Sequence, residues 1–430
     1  MSILSLKDVI LREKEQLRQR RQKLGIEQGA PDQENWFGIA MSGGGIRSAT
    51  INLGFLKTLN KFGILKRADY LSTVSGGGYT HSYVQGTLKK EGDFECLFTN
   101  DHIKAMRQHG EYLIPGQGFW KTGNAILLAV AFVVSWLMSL VSLLIASGIV
   151  YYLYMIITGL LGKEPFKWLN IFQQNDIDWW GMWIVGVMLV VHFVTNIILN
   201  FNLGVSKLFN RVETVLVALG LALYAWYMFV HFGGAEKPTS DILLDYAINA
   251  FLLFCMGFVT NPNALSFHRF YRKQLADLFL RFSGEHHNIA LKDLFDAGSD
   301  KKTDYIAPYP LINTCLNLLN PAGDDVFKGT KTSDYFLLSP LFCGSKLVGY
   351  VPTDRYWDYQ RMTLPAAVTI SAAAVNPGMG MYSNKVLSVL MTLLNARLGF
   401  WISNPRILIK SRAFPWWPIY FFRELLGRIG

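Results

Sequence analysis

Two glycine runs near the amino end, each closing a short apolar stretch and opening a helical one, lie within roughly fifty residues of each other. The first follows Trp36-Phe-Gly-Ile-Ala-Met41 and reads Ser42-Gly-Gly-Gly-Ile-Arg47; the helical stretch after it, Ser48 to Phe62, is closed by Gly63. The second follows the apolar stretch Ala68 to Val74 and reads Ser75-Gly-Gly-Gly-Tyr79, with another helix starting at once. Strand, glycine loop, helix, strand, glycine turn and helix make a βαβ unit. Its crossover is expected to be right-handed and its two strands parallel. Both loops then fall at the carboxyl ends of parallel strands, where open α/β sheets bind ligands.

Ser75 occupies the tip of the second strand. A serine hydroxyl is a weak nucleophile, and a sharp turn that holds Oγ clear of the backbone gives it reach. Gly76 and Gly77 fit that role, since a side chain beside the serine would collide with the turn or a substrate. A glycine-flanked serine alone is also an ordinary loop. The neighbouring Gly43, Gly44 and Gly45 change its meaning, because a glycine loop at a helix N-terminus presents bare N–H groups suited to an oxyanion. A nucleophile beside an anion cradle is an acyl-transfer site. The Gly-x-x-x-x-Gly-Lys-Ser/Thr pattern of a nucleotide loop is absent.

The pair of loops resembles the patatin-like phospholipase family, in its bacterial, membrane-embedded branch. There Gly-Gly-Gly-x-Arg precedes Gly-x-Ser-x-Gly, and a Ser–Asp dyad works without histidine. Gly43, Gly44, Gly45 and Arg47 match the first motif; Ser75 and Gly77 match the second, and Thr73 stands where the family has its first glycine. Softer likenesses run over Asn261–Arg272, Leu338–Gly344 and Ile370–Gly380. The resemblance implies a three-layer α/β/α hydrolase domain, Ser75 as nucleophile, the Gly43–Gly45 loop as oxyanion hole, and Arg47 orienting that loop or meeting lipid phosphate. It also implies an aspartate in an Asp-Gly motif, and no Asp-Gly dipeptide occurs here. Asp296, in Asp296-Ala-Gly298, is the nearest pattern but stands in the wrong order relative to the sheet; Asp334, Asp354 and Asp358 are candidates only by position, and each reads first as a solvated loop aspartate. The expectation is therefore that the aspartate comes from outside this sequence, through truncation of the chain or from a second polypeptide; a naturally inactive protein is the third option.

The apolar excess is concentrated between residues 125 and 260, and it lifts the hydrophobic content to 51%. Four windows suit a membrane span of about twenty residues: Ala125 to Gly162, Trp179 to Leu199, Thr214 to Phe232, and Ile242 to Thr260. As one helix the first would reach about 57 Å against a hydrocarbon core of about 30 Å, so it makes two spans, or one span with an interfacial extension. The sheet halves on either side must meet, which requires an even number of spans and favours four. Basic residues cluster at the termini and in the loop from Asn200 to Glu213, which predicts both halves on the cytoplasmic side. His192 and His231 in or beside spans are expected to serve structural hydrogen bonds.

The net charge is +10, with the densest basic run at Leu11–Lys23. That run is expected to be a solvated helix face or a contact for anionic head groups. No nucleic-acid module accompanies it. Four scattered cysteines indicate neither a disulfide framework nor a metal site. In the second half, Pro310–Leu319 and Tyr335–Leu338 read as strands, and Met362–Val375 and Lys385–Phe400 as helices. The aromatic run Phe414–Phe422 is either a membrane-surface patch or a packing segment.

The expected organisation is a basic helical segment (1–35), a first half-domain (36–124), a helical membrane insertion (125–260) and a second half-domain (261–430). The expected function is hydrolysis of lipid esters by an integral protein of a bacterial inner membrane, without metal or cofactor. Its partners are membrane phospholipids and a polypeptide supplying the aspartate. The alternatives are acyl transfer by the same serine, and an inactive lipid-binding or anchor protein.

Overall fold

The computed structural model of the chain describes residues 3–26, 35–111, 114, 119–160, 239–259, 263, 267–294, 305–318, 332–356, 362–379, 388, 391–402, 404–405 and 416–425. Its centre is a six-stranded mixed sheet in sequential order: β1 Gly38–Met41, β2 Tyr70–Thr73, β3 Tyr309–Leu318, β4 Thr332–Leu338, β5 Phe342–Ser345 and β6 Gly349–Pro352. β1, β2 and β3 are mutually parallel, with Gly38 opposite Tyr70 and Tyr70 opposite Tyr309. β3 to β6 form an antiparallel meander. The β2–β3 ladder thus joins segments from the two ends of the chain.

Helix α1 (Leu6–Leu24) begins with a reciprocal capping box between Ser5 and Asp8 and ends at Gly25 in the left-handed conformation. It crosses the strands. Leu4 bridges Tyr350 of β6, Val9 packs with Phe342 and Tyr350, and Arg21 reaches Asp69 just before β2. The expectation of a solvated or lipid-facing basic run is corrected at two positions. Arg21 and Asp69 are buried and joined by two bonds of 2.7 and 2.6 Å, and Arg20 donates to the carbonyls of Ile306 and Lys66. Asp69 also accepts the N–H of Phe37, and Arg21 lies over the Trp36 ring.

Helix α2 (Gly45–Lys61) follows β1, and α3 (Gly76–Glu91) follows β2. α3 is buried from Gly76 to Lys89, so it presents no face to solvent over that length. Thr80 Oγ1 ties it to the Ala49 carbonyl of α2. On its other side Gly86 lets it close on Leu280 and Ser283. A short helix α4 (Asn100–Gln108) precedes α5 (Phe119–Leu160), and α6 (Thr239–Val259) and α7 (Phe267–Phe279) follow. Helix α8 (Leu364–Ser371), capped by Thr363 with a proline in its first turn, sits against β3. Leu56, Leu71, Tyr79, Tyr83, Ile312, Phe336 and Val368 share one hydrophobic core.

Within α5, Trp120–Val150 is long and apolar enough to cross a membrane; Leu243–Phe258 in α6 is a shorter apolar helix. α5 and α6 run antiparallel: Gly159 abuts Leu243, Tyr152 meets Tyr246, and Phe132 meets Phe267 just beyond α6. The chain therefore leaves and returns on one side. At about 63 Å, α5 exceeds the thickness of a bilayer core. Its Ser139 donates to the Thr392 carbonyl, and Ser135 accepts from Asn395. The windows at 179–199 and 214–232, with His192 and His231, lie outside the described residues. The aromatic run packs where it is described: Trp416 donates to the Phe254 carbonyl and stacks on that ring, and Phe421 is buried in helix α9 (Pro418–Leu425).

Candidate acyl-transfer site

Ser75 is held at φ 50° and ψ −119°, a sparsely populated conformation for a side-chain-bearing residue. Such strain costs on the order of 1–3 kcal/mol and persists only where surroundings impose it. The surroundings are identifiable. Gly77 N–H donates to the Val74 carbonyl and Gly78 N–H to the Ser75 carbonyl, closing the turn into α3. Ser75 is the N-cap of α3, yet its hydroxyl caps no N–H. Serines at that position ordinarily spend their oxygen on the helix. Here Oγ is left for something else, over the positive end of the helix dipole.

The glycine loop after β1 lies against this turn. A Cβ on Gly43 would stand 3.1 Å from Ser75 Cβ and 3.7 Å from Oγ. A Cβ on Gly76 would overlap the Gly45 carbonyl, and one on Gly77 would come within 2.7 Å of the Met41 carbonyl. Gly44 and Gly45 have φ 139° and 63°, so this bend also needs glycine. Gly44 is the N-cap of α2 and supplies no side chain, leaving the first N–H groups of α2 without a side-chain cap. Two helix N-termini therefore converge on Ser75. Ser48 Oγ holds the loop from below through the Ser42 carbonyl at 2.6 Å. Arg47 is exposed in the first turn of α2 and forms no ion pair among the described residues.

Three further groups shape the turn, and the sequence reading gave them no role. The Ser75 N–H donates to Ser371 Oγ at 2.9 Å, and Ser371 Oγ donates to the Asn313 carbonyl at 2.6 Å. The Asn313 amide in turn donates to Ser72 Oγ at 2.9 Å. Thr73 is buried with Oγ1 at 2.9 Å from His81 Nδ1. Gly78 lies close to α8, where a Cβ would come 3.3 Å from Val368 Cγ1. His81 Nε2 faces the Gln85 amide nitrogen, a donor, so Nε2 accepts and Nδ1 carries the proton. Burial pushes the His81 pKa down to about 3, which keeps the ring neutral. The only signal for these residues was position: Ser371 in the apolar stretch Met362–Val375, and His81 in the second turn of α3.

No aspartate or glutamate is hydrogen-bonded to Ser75 among the described residues. Asp334 pairs with Leu316, four positions along β3 from the Ile312 that faces Thr73, and accepts its neighbour Tyr335 N–H. Asp354 follows β6, at the level where β2 begins rather than where it ends. Asp296 and Asp358 lie outside the described residues. Among the described residues there is no histidine, cysteine or carboxylate cluster able to hold a metal.

No protein-family model matches the chain. No solved structure matches it either. A curated Saccharomyces cerevisiae protein, "Putative meiotic phospholipase SPO1", is 43% identical over 42 residues. That stretch spans 10% of this chain and 7% of the yeast protein. The likeness is a local one to a protein named as a phospholipase.

Proposed function

We propose that the chain is a membrane-bound serine acyl hydrolase acting on lipid esters. The observation that carries this reading is Ser75: strained, at a helix N-cap, with a hydroxyl the helix does not use and a second uncapped helix N-terminus beside it. Ser75 Oγ attacks the ester carbonyl, and its proton passes to an aspartate outside the described residues or on another polypeptide. N–H groups of the Gly43–Gly45 loop take the developing oxyanion, each worth about 10²–10³ in rate. The tetrahedral intermediate expels the alcohol, a lysolipid or glycerol derivative, with a proton. Water then cleaves the acyl–Ser75 ester, releasing fatty acid and restoring the hydroxyl. The exposed Arg47 meets the lipid phosphate. Neither metal nor organic cofactor enters this sequence of steps. The fold behind it is a patatin-like three-layer domain with a four-span insertion, its two halves on the cytoplasmic face of a bacterial inner membrane.

The test is labelling by a fluorophosphonate probe in native membranes. Ser75 should be the labelled residue, and Ser75→Ala should lose both label and fatty-acid release. Absence of Ser75 labelling in a chain that retains its folded thermal transition sinks the reading and leaves a lipid-binding protein. Transfer of the acyl group to an added lysolipid, in place of free fatty acid, would replace hydrolase by acyltransferase with the same serine.

A further inference from the structure

The outward face of α2 carries a stripe that the core does not use. Ile51, Phe55 and Phe62 are exposed by 73, 49 and 68%. Arg47, Ile51 and Phe55 follow one another one turn apart, and Phe62, the C-cap residue just past Lys61, continues their line two turns on. The opposite face, with Ala49 and Leu56, is buried in the core. Ile64 in the next helical turn is exposed as well. Lys57 and Lys61 flank the stripe, and Lys66 and Arg67 follow it. Between Gly38 and Ala68 there are five cations and no carboxylate. None of the five side chains forms an ion pair among the described residues.

We infer that this face of α2 lies on an anionic lipid surface, with Ile51, Phe55 and Phe62 in the head-group–acyl boundary and the cations against lipid phosphates. Large apolar side chains between unpaired basic residues are what an in-plane interfacial helix requires. An aqueous environment leaves the stripe wet, and a protein partner would need acids to meet every one of those cations. The position matters to the chemistry, because α2 starts at the glycine loop. Seating the stripe in lipid sets the mouth beside Ser75 against the membrane surface, so a substrate reaches Oγ without crossing water. The inference deepens the hydrolase reading in its location of the substrate, but its test needs no catalysis.

The full chain is placed in lipid nanodiscs with Phe55→Cys carrying an environment-sensitive fluorophore, in a background of Cys315→Ser and Cys96→Ser. Discs are made of phosphatidylcholine alone or with phosphatidylglycerol, and quenched either by a nitroxide-bearing lipid or by iodide in the water. The expected result is strong lipid-borne quenching and weak iodide quenching in the anionic discs. Adding Lys57→Gln and Lys61→Gln should lower the lipid-quenched population by about 10-fold, as should high salt. Equal iodide access in both discs overturns the inference. Protection from both quenchers also overturns it, since another segment of the chain or a second copy then covers the stripe. Ser75 labelling by the fluorophosphonate is read on the same discs, so loss of one reading leaves the other intact.

Discussion

Ser371 accepts the amide N–H of Ser75 at 2.9 Å, across 296 residues of chain. The hydroxyl donates its own O–H to the Asn313 carbonyl on β3. One side chain from α8 thereby fixes the backbone of the strained turn and ties it to the adjacent strand.

Ser371→Ala leaves a Ser75 N–H and an Asn313 carbonyl without that partner. A loss of about 1–3 kcal/mol is expected, read as a lower thermal midpoint in detergent. Fluorophosphonate labelling of Ser75 should slow by more than the midpoint shift accounts for, because the turn itself loosens. Ser371→Thr retains the hydroxyl and should restore most of the labelling rate.

Gly43→Ala and Gly77→Ala separate reactivity from folding. The first places a methyl 3.1 Å from Ser75 Cβ and 3.7 Å from Oγ. It should fold and lose about 10²-fold or more in labelling rate. The second drives a methyl into the Met41 carbonyl of β1, which lies in the sheet. It should lower the thermal midpoint markedly, and equal midpoints for the two variants would contradict this assignment.

The buried pair of Arg21 and Asp69 predicts a non-additive double-mutant cycle. Arg21→Met strands a fully buried carboxylate, and Asp69→Asn strands a guanidinium; each should cost about 3–5 kcal/mol. The double variant should cost clearly less than the two single losses combined. Additive effects would mean that the pair is not coupled in the folded protein.

Glu13 and His81 predict opposite pH dependences. Burial raises the Glu13 carboxyl from 4.5 to about 7, so the folded state holds its proton more tightly than the unfolded one. Its contribution is fully present below pH 4.5 and is lost as pH rises through 7. Glu13→Gln should therefore stabilise the protein at pH 8, by on the order of 1–3 kcal/mol. Burial lowers His81 from 6.5 to about 3, so the unfolded state binds the proton first. Stability from His81 is lost as pH falls from 6.5 towards 3, and His81→Gln should flatten that limb. Denaturation midpoints from pH 4 to 8 check both signs.

Local grammar explains which parts of this structure were legible beforehand. The β1–α2–β2–α3 run follows glycines and apolar stretches that are contiguous in sequence. The helix after the first loop starts at Gly45, three residues before the reading from Ser48, because the last loop glycine itself enters the helix. Strands β3 and β4 carry apolar runs that were recognisable; β5 and β6 are four residues each and were not. The burial of Arg20 and Arg21 was invisible because their partners, Ile306, Lys66 and Asp69, lie far along the chain. Ser75 and the glycine loop stood out by their spacing. Ser371, Asn313 and His81 did not, since each acts through one long-range contact that no local pattern announces.

The parallel pairing of β2 with β3 has a consequence in time. Ser72 and Asn313, joined across that ladder, are 241 positions apart. At about 5–20 residues per second, the ribosome has made Ser75 and its glycines roughly ten to fifty seconds before the strand that completes their surroundings. Both apolar helices α5 and α6 are synthesised in that interval. The Ser75 turn can reach its final tension only after the intervening chain has been translated, so assembly of the candidate site is ordered behind delivery of those helices.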